Sequence, residues 1–153
     1  MDKQKIIAVY GPPACGKSTM SRLIYEQIHE RGALIVSKDA IQRISGEYYC
    51  EGSVQLLDNI FISMIEHALK AGFTPIVDHL NLADIDKEQL EALAKIYNVE
   101  IEWIKCVVPF KEAIRRDKER KYSVGEQCIR GFYEHYFPEL INDECDESKV
   151  SCT

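Results

Sequence analysis

No apolar segment of this sequence approaches the ~20 residues that a membrane-spanning helix requires, so a membrane partner is not expected. The short apolar run at residues 5–10 is cut off by Gly-Pro-Pro, which does not fit a secretory signal peptide. The six cysteines form no Cys-x-x-Cys pair and do not alternate with histidine, which disfavours a disulfide scaffold or a zinc site. Together these absences favour a cytoplasmic protein with reduced thiols.

Basic side chains are in the minority, with 19 lysines and arginines against 25 acidic residues and a net charge of −6. This balance argues against strong non-specific binding of nucleic acid, which depends on neutralising phosphates. The charge is unevenly distributed: residues 111–121 carry six basic and three acidic side chains, whereas residues 139–153 carry five acids and one lysine. A chain of 153 residues is expected to form one domain, which we predict at 1–138, followed by a flexible acidic tail at 139–153.

Strand-like and helix-like segments alternate along the chain, with no internal repeat. Short apolar runs predict strands at 5–10, 33–37, 74–79 and 99–108, and longer periodic segments predict helices at 17–31, 39–44, 54–72, 86–98, 110–120 and 124–137. Apolar strands alternating with helices are typical of a parallel sheet covered on both faces. Ligands of such sheets bind beyond the carboxyl ends of the strands, so the residues that follow each strand are the candidates for function.

The segment GPPACGKST, directly after the first predicted strand, matches G-x-x-x-x-G-K-S/T in full. In such a phosphate loop, backbone amides and a helix amino end surround phosphate oxygens, the lysine contacts the β- and γ-phosphates and the serine ligates Mg²⁺. The sequence therefore predicts an ATP site with Mg²⁺, with Lys17 as a catalytic residue and Ser18 as the metal ligand. The predicted nucleotide-binding residues are Gly11, Pro13, Ala14, Cys15, Gly16, Lys17, Ser18 and Thr19.

Cys15 within this loop has two interpretations. A thiol near a helix amino end is acidified and sensitive to oxidation. Alternatively, Cys15 is simply a small side chain at a position that tolerates several residues.

Two aspartates follow the second and third predicted strands. Asp39 is a candidate for the carboxylate that orients an acceptor hydroxyl and takes its proton, although it would also suit a helix cap. Arg43, four residues later, would bind an acceptor phosphate or pair with Asp39. Asp78 would act on the Mg²⁺ shell or support the acceptor site, or would be a turn residue. His79 follows Asp78, so the Asp-Glu pair of motor ATPases is absent, which favours transfer to a molecule over hydrolysis.

The basic segment after the fourth strand predicts a lid over the phosphates. Arg116 and Arg120 share a helix face, and arginine suits the charge that develops on a transferred phosphoryl group. The alternative is a solvated charged helix. Tyr48 and Tyr49, in a Gly-containing loop, would either stack a nucleobase or anchor that loop on the core.

The order G-x-P-x-x-G-K-S-T, S-K-D, I-V-D and V-P-F-K-E-A-I-R-R-D-K-E-R resembles the phage-type 5′-hydroxyl polynucleotide kinases, over about residues 5–136. The resemblance implies an α/β P-loop kinase fold with a four-stranded parallel sheet of order 2-3-1-4 and an arginine-rich helical lid. It matches Asp39 to the general base, Asp78 to the strand-three aspartate, and Arg116 and Arg120 to the lid arginines.

The chain departs from this family where an acceptor-phosphate arginine is expected. Gln42 occupies that position and Arg43 follows it, a shift that turns a helical side chain by ~100°. The sequence therefore predicts a kinase acting on a hydroxyl, with the 5′-OH end of DNA or RNA as the leading acceptor. A small-molecule kinase acting on a nucleoside, sugar or antibiotic stays open, as does a nucleotide-binding module or ATPase without an acceptor.

Overall fold

The structure, a computed structural model, describes residues 3–11, 15–46, 52–79, 84–119, 125–136, 138–141 and 151–152. Five strands are present among them: β1 Lys5–Tyr10, β2 Ala33–Ser37, β3 Thr74–His79, β4 Glu100–Val107 and β5 Ser151–Cys152. The helices are α1 Lys17–Ile28, α2 Lys38–Ile44, α3 Ser53–Lys70, α4 Asp84–Ile96, α5 Phe110–Lys118 and α6 Glu126–Tyr136. Short 3₁₀ turns follow α1 at His29–Arg31 and α6 at Pro138–Leu140.

The first four strands form a parallel sheet of order β2-β3-β1-β4, which confirms the predicted fold. The two-residue strand β5 extends the sheet by pairing antiparallel with β4, and Cys152 lies opposite Cys106 in that pairing. The sequence pattern gave no sign of β5, because it lies in the acidic segment predicted as a tail.

The apolar side chains of β1 point alternately to the two faces of the sheet, which explains why helices cover both faces. Ile7 and Val9 contribute to one buried cluster, whereas Ile6 and Ala8 contribute to the other. Successive side chains of a strand point to opposite faces, so an apolar strand without polar interruption requires cover on both sides. The first cluster takes its other members mainly from α1, α5 and α6, and the second from α2, α3 and α4.

Helix α6 holds the junction between β4 and α5 in place. Pro109 caps the amino end of α5, and its carbonyl oxygen accepts from the Ala113 amide at 3.1 Å. The buried Tyr133 of α6 donates its hydroxyl to the Val108 carbonyl oxygen at 2.5 Å and packs edge-on against Phe110. The start of α5 is therefore held in place relative to the carboxyl end of β4.

Within the described residues, no helix has the length and apolar character needed to cross a membrane.

Candidate active site

The loop between β1 and α1 is shaped by its two glycines. A Cβ atom on Gly11 would lie 1.8 Å from the carbonyl oxygen of Cys106, so a larger residue would push the loop away from β4. Gly16 has a φ of 98°, in the left-handed region that glycine adopts without strain, and it occupies the position before α1. No side chain caps this described helix end. Pro13 and Ala14 lie outside the described residues.

Lys17, in the first turn of α1, is a buried cation. Only 9% of the residue is exposed, and its Nζ atom lies 3.9 Å from the Cys15 sulfur. A lysine held close to the loop is in position to contact a phosphate that the loop binds. Thr19 is exposed in the same turn.

Ser18 and Asp78 are brought together by the sheet. Val9 of β1 pairs with Asp78 of β3, so the loop that follows β1 begins at the level where β3 ends. The Ser18 hydroxyl donates to Asp78 Oδ2 at 2.9 Å, although the residues are 60 positions apart in the sequence. Asp78 itself is nearly buried at 9% exposure.

This pair fits the divalent cation that the fold implies. Mg²⁺ prefers oxygen ligands, is usually bound by only one or two protein groups, and completes its shell with water and substrate phosphates. A hydroxyl and a carboxylate 2.9 Å apart supply such oxygens. Elsewhere among the described residues, no cluster of three or more His, Cys, Asp or Glu side chains suggests a second kind of metal site.

Asp39 lies at the same edge of the sheet. Ser37, the last residue of β2, is the strand partner of Asp78, and Asp39 follows two residues later as an exposed side chain in the first turn of α2. The cap of α2 is Ser37, whose hydroxyl accepts from the Ala40 amide at 3.3 Å. The alternative in which Asp39 serves as the helix cap is therefore wrong, because the Ser37 side chain caps α2.

Arg43 is exposed in the last turn of α2, one turn beyond Asp39, and Gln42 is half-buried beside it. Helix α2 is oriented by Lys38, which pairs with Asp58 of α3 at 2.8 Å and lies 5.1 Å over the Phe61 ring. Tyr48 and Tyr49, the aromatic residues predicted near the acceptor, lie outside the described residues.

Arg116, which the sequence predicts as a lid residue, reaches the phosphate loop. Its Nη1 atom donates to the Cys15 carbonyl oxygen at 3.3 Å, and its Nε atom donates to Glu112 at 2.9 Å. Arg115, one residue earlier, also pairs with Glu112 but continues outward to Glu119 at 3.2 Å. Arg120 lies outside the described residues. The basic helix α5 is therefore not only a solvated surface, because its Arg116 side chain contacts the phosphate loop.

Glu112 was not singled out from the sequence, yet it holds Arg116. Hydrogen bonds from Arg115, and then from Arg116, lower the pKa of the Glu112 carboxyl to about 2. The signal was present in the spacing, because a glutamate four residues before an arginine on a helix forms such a pair.

The Cys15 thiol is acidified, as one of its two sequence interpretations anticipated. Its pKa is lowered from 9.0 to about 7, chiefly by a hydrogen bond from the Cys106 side chain and further by Lys17, while burial acts in the opposite direction. Cys106 also donates to the Cys15 carbonyl oxygen at 3.0 Å. Sequence reasoning missed Cys106, because a thiol at the end of a buried strand looks like an ordinary apolar residue.

A separate cavity of about 360 Å³ opens at the opposite edge of the sheet. Lys5, Arg31, Thr74 and Glu102 are among its lining residues, and none of the described phosphate-loop residues takes part. The chemistry-bearing side chains thus gather at the carboxyl edge of the sheet, away from this cavity.

A curated protein and several solved structures resemble this chain. An L-seryl-tRNA(Sec) kinase of Methanococcus maripaludis is 26% identical over 133 residues, which are 86% of this chain and 52% of that protein. The chain thus spans about half the length of this curated relative. A putative kinase from Chloroflexus aurantiacus aligns at 24% identity and a TM-score of 0.61, covering 78% of this chain and 68% of that one.

Two further structures share the fold at lower identity. A chain of the Pnkp1/Rnl/Hen1 RNA repair complex has a TM-score of 0.68 at 15% identity, covering 93% of this chain and 47% of that one. The APS kinase CysC of Mycobacterium tuberculosis, in complex with AMPPNP and APS, has a TM-score of 0.58 at 13% identity and covers 99% of this chain and 87% of that one. These likenesses show that the fold is that of P-loop kinases.

The family model described as an AAA domain matches residues 6–132. The match runs from β1 through most of α6, and so includes the phosphate loop, the ends of β2 and β3, and the basic helix α5. The chain belongs to the AAA domain family.

Proposed function

We propose that this protein transfers the γ-phosphate of ATP to a hydroxyl group carried by a nucleic acid, with the 5′-OH end of DNA or RNA as the leading acceptor. The observation that carries the proposal is the juxtaposition at one edge of the sheet: the Ser18–Asp78 pair, Arg116 on the phosphate loop, and Asp39 two residues beyond the strand partner of Asp78. A site for hydrolysis alone does not need a carboxylate at the acceptor side.

The donor half of the proposed site uses Lys17 and the loop amides to bind the β- and γ-phosphates, with Arg116 approaching from α5. Ser18 and Asp78 would hold Mg²⁺, which when bound neutralises charge on the phosphate oxygens. Arg116, and Arg120 in the sequence-based assignment, would meet the negative charge that builds on the equatorial oxygens during transfer. Gly11, Gly16 and Thr19 complete the nucleotide-binding surface, with Pro13, Ala14 and Cys15 from the same loop.

On the acceptor side, the proposed role of Asp39 is to accept a hydrogen bond from the attacking hydroxyl and then its proton. The exposed position of Asp39 in the first turn of α2 supports this role, because an acceptor can approach it from solvent. Arg43 is the proposed contact for a phosphate of the acceptor strand. The solved RNA repair complex containing a similar chain supports a nucleic-acid acceptor.

A second acceptor is favoured by a different observation. The curated relative is a kinase of seryl-tRNA, so a hydroxyl on an aminoacyl group is a candidate alongside the 5′-OH. Gln42, at the position where 5′-OH kinases are expected to carry an arginine, is compatible with this alternative. Both acceptors are hydroxyls attached to nucleic acid.

The test is transfer of label from γ-labelled ATP with Mg²⁺ to a panel of acceptors: 5′-OH DNA and RNA oligonucleotides, seryl-tRNA, and small hydroxyl compounds. We expect label on an oligonucleotide end, and loss of at least ~100-fold in kcat for Asp39→Asn, because the general base is removed. Lys95→Ala, an exposed lysine on α4, is the matched control and should retain activity.

Label found only on small compounds would contradict the nucleic-acid acceptor. Release of free phosphate with no labelled acceptor, or unchanged transfer by Asp39→Asn, would contradict the proposed chemistry itself.

A further inference from the structure

Two thiols meet beneath the phosphate loop. Cys15 belongs to the loop and is 1% exposed, and Cys106 lies near the end of β4 and is 0% exposed. The Cys106 sulfur is 3.0 Å from the Cys15 carbonyl oxygen, to which it donates, and it is also within hydrogen-bonding reach of the Cys15 side chain. The two residues are 91 positions apart, so the fold alone brings them together.

Both sulfurs lie close to the glycines of the loop, and the absence of a side chain at Gly11 leaves room for the Cys15 sulfur. A Cβ atom on Gly11 would lie 2.9 Å from the Cys15 sulfur, and one on Gly16 would lie 4.0 Å from the Cys106 sulfur. The Cys15 sulfur thus packs closely against the backbone at Gly11, and the Cys106 sulfur lies near the backbone at Gly16. If the distance between the two sulfurs changes, the backbone of the loop has to move.

We propose that Cys15 and Cys106 are a redox modification site, at which a hydroperoxide converts the thiol pair into a reversible disulfide that weakens nucleotide binding. This inference goes beyond the proposed phosphotransfer, because it concerns the donor loop whatever the acceptor is. Lys17, with its Nζ atom 3.9 Å from the Cys15 sulfur, stabilises the thiolate that begins the reaction.

The chemistry proceeds in two steps. The Cys15 thiolate attacks one oxygen of the hydroperoxide, an S–O bond forms, the O–O bond breaks, and the departing oxygen leaves as hydroxide or alkoxide. The Cys106 sulfur then attacks the Cys15 sulfur, the S–S bond forms, and the S–O bond breaks. The Cys106 proton leaves with the hydroxyl group as water. The two sulfurs are oxidised and the hydroperoxide is reduced, and a dithiol reverses the change.

The disulfide alters the loop in two ways. It draws the sulfurs to about 2.05 Å, closer than any non-bonded contact, and the loop backbone has to follow. It also removes the Cys106 proton that is donated to the Cys15 carbonyl, the same oxygen that accepts from Arg116. Because a bound phosphate needs the loop amides in a fixed arrangement, we expect the affinity for nucleotide to fall.

Nucleotide binding and oxidation of the two thiols therefore disfavour one another. A ligand that binds the reduced loop more tightly than the oxidised loop protects the thiols to the same degree, by thermodynamic linkage. A phosphate that engages Lys17 also draws its charge away from the Cys15 sulfur.

The test treats the full chain with hydrogen peroxide, blocks the remaining thiols, and identifies disulfide-linked peptides by mass spectrometry. Affinity is measured in parallel with a fluorescent ATP analogue. We expect a Cys15–Cys106 linkage and a loss of at least ~10-fold in affinity that dithiothreitol restores. The linkage should form more slowly when ATP and Mg²⁺ are saturating, because bound phosphates draw the Lys17 charge away from the Cys15 sulfur. None of these measurements requires an acceptor, so they remain informative if phosphotransfer fails.

Three variants separate this site from the other thiols. Cys106→Ser, which keeps a hydroxyl donor for the Cys15 carbonyl, should bind nucleotide like the reduced wild-type protein and form no disulfide at Cys15. Cys152→Ala tests the residue opposite Cys106 in the sheet, and Cys128→Ser tests an exposed thiol; both should keep the Cys15–Cys106 linkage.

Three results would overturn the proposal: no linkage in the wild-type protein, a linkage between Cys106 and Cys152 instead, or a Cys15–Cys106 linkage that leaves nucleotide affinity unchanged. If Cys106→Ser does not fold, the peptide map and affinity of the wild-type protein still decide between these outcomes.

Discussion

At the scale of single residues, the site depends on side chains that hold other side chains. Glu112 is largely buried, with 12% of its side chain exposed, and its carboxylate accepts from both Arg115 and Arg116. Arg116 then extends to the Cys15 carbonyl of the phosphate loop. In the proposed mechanism Glu112 is a positioning residue, because its carboxylate fixes where the Arg116 guanidinium lies.

We predict that Glu112→Gln lowers kcat about 10-fold with little change in KM for ATP, because a misplaced guanidinium loses contacts made chiefly in the transition state. Arg115→Gln is the matched control: it removes the other partner of Glu112 but leaves Arg116 on the loop, so its kcat should stay within about twofold. Steady-state kinetics measure both. Equal losses in the two variants would mean that Glu112 acts through the stability of α5 and not through Arg116.

The difference in stability between the wild-type protein and Glu112→Gln should depend on pH. The pKa of Glu112 is lowered from 4.5 to about 2 by Arg115 and Arg116, so the carboxylate stabilises the folded state fully above pH ~4.5 and this contribution is lost as pH falls through about 2. Urea unfolding should show the wild-type protein more stable than the variant by about 0.5–1 kcal/mol at pH 7, as for partly exposed ion pairs. The difference should shrink towards pH 2.

At the scale of secondary-structure elements, α5 is positioned by α6. The Tyr133 hydroxyl donates to the Val108 carbonyl in a site from which water is excluded, and burial raises the pKa of the phenol so that it stays protonated. Because Pro109 follows Val108 and begins α5, this bond sets the point from which the Arg116-bearing helix leaves the sheet.

Tyr133→Phe should lower the free energy of unfolding by about 1–2 kcal/mol, since a buried carbonyl loses its partner. Tyr97→Phe is the control, because the Tyr97 hydroxyl donates to Glu66 at 3.0 Å in a partly exposed place where water can substitute. Thermal unfolding followed by circular dichroism should give a drop of roughly 2–8 °C for Tyr133→Phe and less than about 1–2 °C for Tyr97→Phe. A similar drop in both variants would contradict the larger contribution that we assign to the buried Tyr133–Val108 hydrogen bond.

The elements themselves were largely predictable from the sequence, and the contacts between them were not. The apolar run KIIAVY, bounded by Gly-Pro, predicts β1 with the bounds observed, because a strand buried on both faces has few alternatives. The bond from Ser18 to Asp78 joins residues whose closeness depends on strand order, which periodicity does not encode. The same holds for the Cys15–Cys106 contact. The cap of α2 is Ser37, two residues before Asp39, which the sequence offered as an alternative cap because serine and aspartate both suit that position.

At the scale of the whole molecule, the proposed donor ligand should stabilise the fold. A ligand that binds only the folded state adds about 2.7 kcal/mol at a concentration 100 times its Kd. For a chain of this size, that corresponds to a rise in Tm of roughly 5–10 °C with ATP and Mg²⁺. Lys17→Ala should lose most of the rise, whereas Lys95→Ala, with its exposed lysine on α4, should keep it. An undiminished rise in Lys17→Ala would place nucleotide binding elsewhere, for example at the cavity on the opposite edge of the sheet.

The strand order has a consequence for how such a protein can change its substrate. The residues proposed to handle the donor follow β1, β3 and β4, which have paired neighbours on both sides, whereas Asp39 follows β2, which among the described strands pairs only with β3. An outer strand and its helix can shift without disturbing the pairing of the interior strands. With the proposed function, the fold would thus separate an interior half that holds the donor from an outer half that selects the acceptor, so that new specificities arise on one side while the donor stays the same.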